Sequence, residues 1–257
     1  LFHDEIFHLA LWHNAFFLVF LPLITISLAL FFAFLLNVGG RQGKAGIRGV
    51  WGSSVYKVIF FFPQVLSVAI IVILWQSLYR TDSQGILNWL GMKLGLVDPE
   101  HPLLFLANPT PFLGVPQVLW FLLILVVWAS VGFFLVLFSA AMQSIPRDIY
   151  EAALLDGATR VHTFFRVTLP LLRDTISVAW VYLGFIALDM FVYVFALTPQ
   201  NGGPNHASEV VGGVLFRQAF TRGQFGYACA MAVAMAILAL VLAGVVLTTG
   251  RRTRIEY

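Results

Sequence analysis

The residues able to do chemistry in this chain fall into two sets, one in a basic connecting segment and one inside long apolar stretches. The first set is Glu151-Ala152-Ala153, then Asp156-Gly157-Ala158, then, after Phe164 and Val167, Leu169-Pro170. A single carboxylate among alanines is a docking feature: it offers one charge to a partner's arginine, and the small side chains let a second surface come close. The second set centres on Asp189, with Tyr182 seven residues before it and Tyr193 four after. On a continuous helix these three share one face, whereas Trp180 points away, toward lipid or packing. A carboxylate in hydrocarbon is costly unless it meets water or a partner. Asp189 therefore either faces a solute pathway or makes a structural hydrogen bond to a neighbouring helix. Gln64 and Trp75 share a face to within about 20° on an unbroken helix. They offer the amide and aromatic plate that a sugar ring uses, although both residue types also serve as packing.

The elements that must position these residues are membrane helices. Apolar residues make up 60% of the 257 and charged residues only 11%, far from the proportions of a soluble domain. Five stretches, 15–36, 58–79, 116–140, 175–197 and 226–249, are long enough to cross a hydrocarbon core of about 30 Å at about 1.5 Å per residue. The expected fold is an all-α integral membrane protein of five spans in one domain, 1–257. Eleven of the fifteen Lys and Arg residues follow the first, third and fifth spans; Arg80, Lys93, Arg217 and Arg222 lie on the other side. That bias places the amino terminus outside and the carboxyl terminus in the cytoplasm. Asp189 then lies about 22 Å from the cytoplasmic end of its span, in the outer part of the bilayer. The segment 1–14, with His3, Asp4, Glu5, His8 and His13, is too polar to insert as a span. It shows no signal-peptide pattern.

The docking residues sit in a cytoplasmic loop, 141–173. Ser144 is an expected cap for a short helix over about 146–156, with Pro146 in its first turn and Asp148 complementing its positive end. Gly157 falls where a helix ends in a left-handed residue. A second short helix over about 159–167 gathers Val161, Phe164 and Phe165 on one side, and Leu169-Pro170 is expected to stop it. In the plainer alternative, Glu151 pairs with Arg147 one turn earlier, a contact of about 0.2–0.5 kcal/mol, and the loop is a solvated connector.

The pattern E-A-A-x-x-D-G-A followed by Leu-Pro resembles the cytoplasmic signature of binding-protein-dependent importer permeases, the membrane subunits of ATP-binding-cassette transporters. The likeness runs over essentially the whole chain. Phe62-Pro63-Gln64-Val65-Leu66-Ser67 with Leu74-Trp75 resembles the second core helix. Gly85-Ile86-Leu87-Asn88 with Leu94-Gly95-Leu96 resembles the outside loop, and Leu197-Thr198 with Gly202-Gly203-Pro204 resembles an L-T-x-G-G-P corner, here lengthened by Pro199-Gln200-Asn201. The sugar and glycerol-phosphate permeases related to the maltose system are the most similar type, and they usually add at least one helix upstream of this core. The resemblance implies a type I importer core in the bacterial inner membrane. Its partners would be a second permease subunit, an ATPase dimer and an extracytoplasmic solute-binding protein. Glu151 would be salt-bridged to the ATPase, with Gly157 as the turn.

Other readings fail on spacing. Gly39-Gly40-Arg41-Gln42-Gly43-Lys44-Ala45 lacks the first glycine and the Ser or Thr of a phosphate loop, so this chain is expected to bind no cofactor and ATP belongs to a partner. His3, His8 and His13 turn about 140° per step around a helix and do not converge on a metal; they read as surface or interfacial histidines. Cys229 is the only cysteine, which rules out an internal disulfide. The basic residues are dispersed, which argues against nucleic acid. An ion or solute channel and a membrane enzyme are the alternatives, but the distinctive residues lie in a docking loop and no nucleophile or zinc motif is present.

Overall fold

The computed structural model describes residues 4–38, 52–82, 84–98, 100–106, 108, 110–198 and 202–251 and is mostly helical. Helix α1 (Glu5–Val38) starts ten residues before the expected span and runs through Pro22. Its 34 residues amount to about 51 Å of helix. The polar start is absorbed rather than excluded: Asp4 Oδ1 accepts the Phe7 N–H at 3.1 Å and Asp4 Oδ2 accepts the Tyr227 hydroxyl at 2.9 Å.

The expected second span is interrupted. Helices α2 (Ser53–Val65) and α3 (Val68–Leu78) are separated at Leu66 and Ser67. Ser67 takes an extended conformation and its Oγ accepts the Ile70 N–H, a cap that competes with helix continuation. A short helix α4 (Ile86–Lys93) follows in the segment between α3 and the hairpin below. It is stapled by Asn88, whose Nδ2 donates to the carbonyls of Arg80 and Leu103 and whose Oδ1 accepts the Leu103 N–H. A two-residue hairpin, β1 (Pro111–Phe112) and β2 (Val115–Pro116), turns through Leu113 and Gly114, both at positive φ, and leads into α5 (Gln117–Gln143).

After α5 come α6 (Arg147–Leu155), α7 (Arg160–Thr163), a π turn (Phe164–Thr168), α8 (Leu169–Leu171) and α9 (Arg173–Leu188). The expected fourth span is also interrupted: Asp189 and Met190 separate α9 from α10 (Phe191–Leu197). Helix α11 (Val211–Phe216) passes into a second π turn (Arg217–Thr221), and α12 (Phe225–Arg251) closes the described chain. Among the described residues, helices α1, α5 and α12 are long and apolar enough to cross a bilayer alone, and the total reaches five if each of two bent helix pairs counts as one span. In α12 only 6% of the most apolar stretch is buried, so that helix presents apolar side chains all round.

Packing divides the chain into two compact units. The first comprises Leu1–Leu21, Leu66–Val126 and Gly184–Ala239, the second Pro22–Val65, Val127–Leu183 and Leu240–Tyr257. In the first unit Phe7 and Ala10 of α1 pack with Val211 and Val214 of α11 and Met231 of α12. The break after α9 leaves carbonyls without helical partners, and Asn14 of α1 takes them up. Its Nδ2 donates to the Ala187 and Leu188 carbonyls at 3.0 and 3.3 Å, while its Oδ1 accepts the Val211 N–H that opens α11 at 2.9 Å. An amide suits this place because it donates and accepts from one planar group. His13, expected at a surface, is wholly buried beside it, whereas His8 is exposed and His3 lies outside the described residues. In the second unit Phe134, Leu135 and Phe138 of α5 are sealed from solvent, and Gly132 abuts the Phe60 carbonyl of α2.

Candidate functional site

The segment 141–173 forms a helix, a glycine turn and a second helix. Helix α6 ends in a Schellman arrangement: the Gly157 N–H donates to the Leu154 carbonyl at 3.0 Å and the Ala158 N–H to the Ala153 carbonyl at 2.9 Å. Gly157 has φ +76°, the left-handed value its position predicts. Thr159 then caps α7, accepting the His162 N–H at 3.3 Å.

Two expectations about this loop are corrected. Ser144 does not cap α6: its hydroxyl turns back to the Ala141 carbonyl at the end of α5, and Pro146 takes the cap position without a side-chain bond. Leu169-Pro170 does not stop the second helix, which persists to Leu171 and meets α9 at a bend of 72°. The π turn before it moves the Leu169 N–H onto the Phe164 carbonyl. This wider register carries the chain past a proline that cannot donate.

Glu151 and Ala152 stand exposed on α6, Ala153 and Ala158 are half-buried, and Asp156 and Gly157 are exposed at the turn. Leu169 and Pro170 are half-buried at the base of the loop. Among the described residues Glu151 forms no ion pair. Leu155 is 90% exposed, Val161 67% and Phe165 59%, an apolar ridge beside the carboxylate. The knob is held from below by residues the sequence reading passed over. Buried Tyr150 hydrogen-bonds the buried Thr168 hydroxyl at 3.4 Å, and the Phe34 ring of α1 meets Phe164 edge-on at 4.9 Å.

The second residue set is only partly brought together. Asp189 is exposed in the break between α9 and α10, and Tyr193, four residues on in α10, is half-buried. Tyr182 is exposed and stacks on Phe133 at 5.7 Å in the second unit. The one-face expectation assumed a helix continuous from Tyr182 to Tyr193; Asp189 still bonds to the Phe185 carbonyl of α9, and the interruption at Asp189 and Met190 falls before Tyr193. The same holds for Gln64 and Trp75, which stand on α2 and α3 with a break between. Gln64 is exposed, and Trp75 is buried against Tyr79 at 5.0 Å. Trp180 lines a groove with Arg173, Ile176, Ser177, Val245, Val246 and Thr249.

Compared with known families, residues 6–254 match the model of the binding-protein-dependent transport system inner membrane component. The chain belongs to this family. The permease is 40% identical to the diacetylchitobiose uptake system permease protein of Streptomyces coelicolor, over 98% of this chain and 69% of that one. It is 29% identical to the trehalose/maltose transport system permease protein of Thermococcus litoralis, over 95% and 76%. Among solved structures it matches a chain of the bacterial ABC transporter that imports the acidic polysaccharide alginate. That match has a TM-score of 0.81 and 23% identity over 99% of the permease and 82% of that chain, a likeness of fold.

The largest omission of the sequence reading is at the corner of the permease between α10 and α11. Pro199, Gln200 and Asn201 lie outside the described residues. From Gly202 onward the chain folds over Glu209, a wholly buried carboxylate. Arg217 Nη2 and, at 3.0 Å, His206 Nδ1 donate to its Oε2. The His13 ring donates to its backbone carbonyl at 2.7 Å. A Cβ on Gly202 would stand 2.8 Å from Glu209 Oε2, and one on Gly203 2.8 Å from Ser208 Oγ, so both glycines are required for close approach. The available signal was an acidic residue next to Val210-Val211, eight positions before Arg217.

Proposed function

We propose that this permease translocates an oligosaccharide of the diacetylchitobiose class, released by an extracytoplasmic binding protein, with ATP hydrolysed on a partner dimer seated against the α6–α7 loop. The exposed helix-glycine-helix with Glu151 on its surface carries the reading. It offers a charge, small side chains and an apolar ridge to a partner, and no span has to be altered to engage it. A second permease subunit completes the pathway and covers apolar surface that α12 leaves open. The substrate class follows from the 40% identity to a permease named for diacetylchitobiose uptake, over nearly the whole chain. Asp189 and Tyr193, with Tyr182 and Gln64 as exposed polar groups, are the pathway candidates; Trp75, packed on Tyr79, serves as their support.

The test is uptake by the complete transporter in proteoliposomes, with labelled diacetylchitobiose. The parent accumulates it when binding protein and ATP are present. Asp189→Asn lowers uptake while the ATPase still copurifies. Glu151→Ala weakens copurification, consistent with a charge-assisted contact of about 1.5–3 kcal/mol. Full uptake by both variants would reduce the loop to a connector and Asp189 to a structural residue.

Orientation in the inner membrane, amino terminus outside, rests on the distribution of basic residues. In a Cys229→Ser background, single cysteines replacing Glu100 or Asn205, both exposed, should react with an impermeant thiol reagent in intact cells, and one replacing His162 should not. Reversed labelling excludes this orientation. Asn88 is unsuitable as a probe because its amide staples the outside loop.

A further inference from the structure

We propose that the groove between α9 and α12 holds an anionic phospholipid of the surrounding bilayer, with the headgroup phosphate on Arg173 and an acyl chain along Trp180. This goes beyond the transport reading and takes from it only the membrane orientation, which puts the site in the cytoplasmic leaflet. The lining stretches of both helices belong to the second compact unit. Arg173 opens α9, and Thr249 stands two residues before the end of α12, so the groove begins where the two helix ends meet. Its volume is about 510 Å³, within the range of about 300–1,000 Å³ usual for ligand sites. The lining is graded. Arg173 and Thr249 stand at the helix ends, whereas Trp180 lies seven residues along α9, about 10 Å deeper. Ile176, Val245 and Val246 complete the apolar wall. A cation at the mouth and apolar side chains toward the bilayer core are the complement of an anionic amphiphile, and basic pockets between helices at the cytoplasmic face suit anionic headgroups. The sequence adds Arg251, Arg252 and Arg254 just past Thr249.

The hydrogen-bonding capacity left in the groove narrows the occupant. Ser177 Oγ donates to the Arg173 carbonyl at 3.0 Å and Thr249 Oγ1 to the Val245 carbonyl at 2.8 Å, so both hydroxyl protons are used within their own helices. Among the described residues the Arg173 guanidinium and the Trp180 indole N–H have no partner. Asp174, the adjacent carboxylate, stands about 100° round α9 and does not line the groove. The free groups are therefore donors, and the phosphate and ester oxygens of a phospholipid are acceptors; a guanidinium matches phosphate with paired N–H groups. A helix from another subunit is a poorer complement. Helices in lipid associate through small residues that permit close approach, whereas this wall carries an indole and three β-branched side chains. Helix α12, with 6% of its most apolar stretch buried, is open to lipid along the same side chains.

The experiment uses the complete transporter in phosphatidylcholine proteoliposomes that contain a small fraction of lipid brominated on its acyl chains, either phosphatidylglycerol or phosphatidylcholine. Tryptophan quenching is read in the parent and in Trp180→Phe, and the difference isolates the Trp180 signal. Brominated phosphatidylglycerol should quench that signal at about one fifth of the mole fraction that brominated phosphatidylcholine requires, the preference expected of one basic residue at a membrane surface. Arg173→Gln should abolish the preference, and Arg173→Lys, which keeps the charge, should retain most of it. Equal quenching by the two lipids in the parent, or a preference that survives Arg173→Gln, overturns the proposal. Absence of quenching by either lipid also overturns it, and shows that a partner subunit seals the groove. Uptake of labelled diacetylchitobiose is read on the same vesicles: uptake absent from the parent while its lipid preference is intact refutes the transport reading and leaves the lipid site standing.

Discussion

Gly157→Val is expected to reduce uptake and binding-protein-stimulated ATP hydrolysis about tenfold or more, with normal membrane insertion. The cause is confined to the backbone. A Cβ at Gly157 would meet no atom within 4 Å, so no clash contributes, but φ is +76°. A β-branched residue reaches that region only with strain, of order 1–3 kcal/mol. The chain escapes by opening the Schellman turn, which swings α7 and its apolar ridge away from α6. A graded series separates this cause from others. Asparagine, which tolerates the left-handed region, should retain most activity, alanine should be intermediate, and valine should be worst. Copurification of the ATPase with each variant, followed by stimulated hydrolysis, is the measurement. Equal rates for all three would show that the turn is not part of the docking geometry.

Gly132→Ala is expected to have the largest effect on folding. A Cβ there would overlap the Phe60 carbonyl oxygen and lie 2.8 Å from the Phe61 Cα. These are backbone atoms of α2 and cannot rotate away. Helices in lipid associate through such close backbone approaches, and overpacking a contact costs about 1–3 kcal/mol or more. The displaced α5 would also disturb the Phe133 stack on Tyr182 and the buried Phe134 and Phe138. Folded, monodisperse protein recovered in detergent should fall severalfold, and thermal stability should drop. Gly244→Ala in α12, where the added carbon meets nothing within 4 Å, is the matched control and should leave recovery unchanged. If Gly132→Ala matched this control, the close approach of α2 and α5 would be refuted.

These two glycines mark the boundary between what was legible in the chain and what was not. The turn at Gly157 follows from a stretch of about six residues, because a helix end, its left-handed cap and the next N-cap at Thr159 are settled by neighbours along the backbone. Long apolar stretches likewise give helices wherever no water competes for the backbone, so α1 and α12 contain the expected spans 15–36 and 226–249, and α5 covers all but the first residue of 116–140. Hydropathy averages over a window, however, and is blind to a two-residue interruption. The breaks at Leu66 and Ser67 and at Asp189 and Met190 therefore went unread, and with them the phase relations of Gln64 to Trp75 and of Tyr182 to Tyr193.

Gly132 and Gly244 look alike in sequence, each a glycine in an apolar helix, and only the approach of α2 distinguishes them. Asn14 and His13 belong to a segment read as too polar to insert, with His13 taken as a surface or interfacial histidine. Their partners, Ala187, Leu188, Glu209 and Val211, lie more than 170 positions away. Glu209 looked like one acid near an outside loop until His206 and Arg217 closed over it. The sequence alone thus determined the long apolar helices α1, α5 and α12 and the left-handed turn at Gly157, since each is governed by neighbours along the chain. The burial of His13, Asn14 and Glu209 was decided by tertiary structure, because polar groups removed from water must find partners wherever the fold places them.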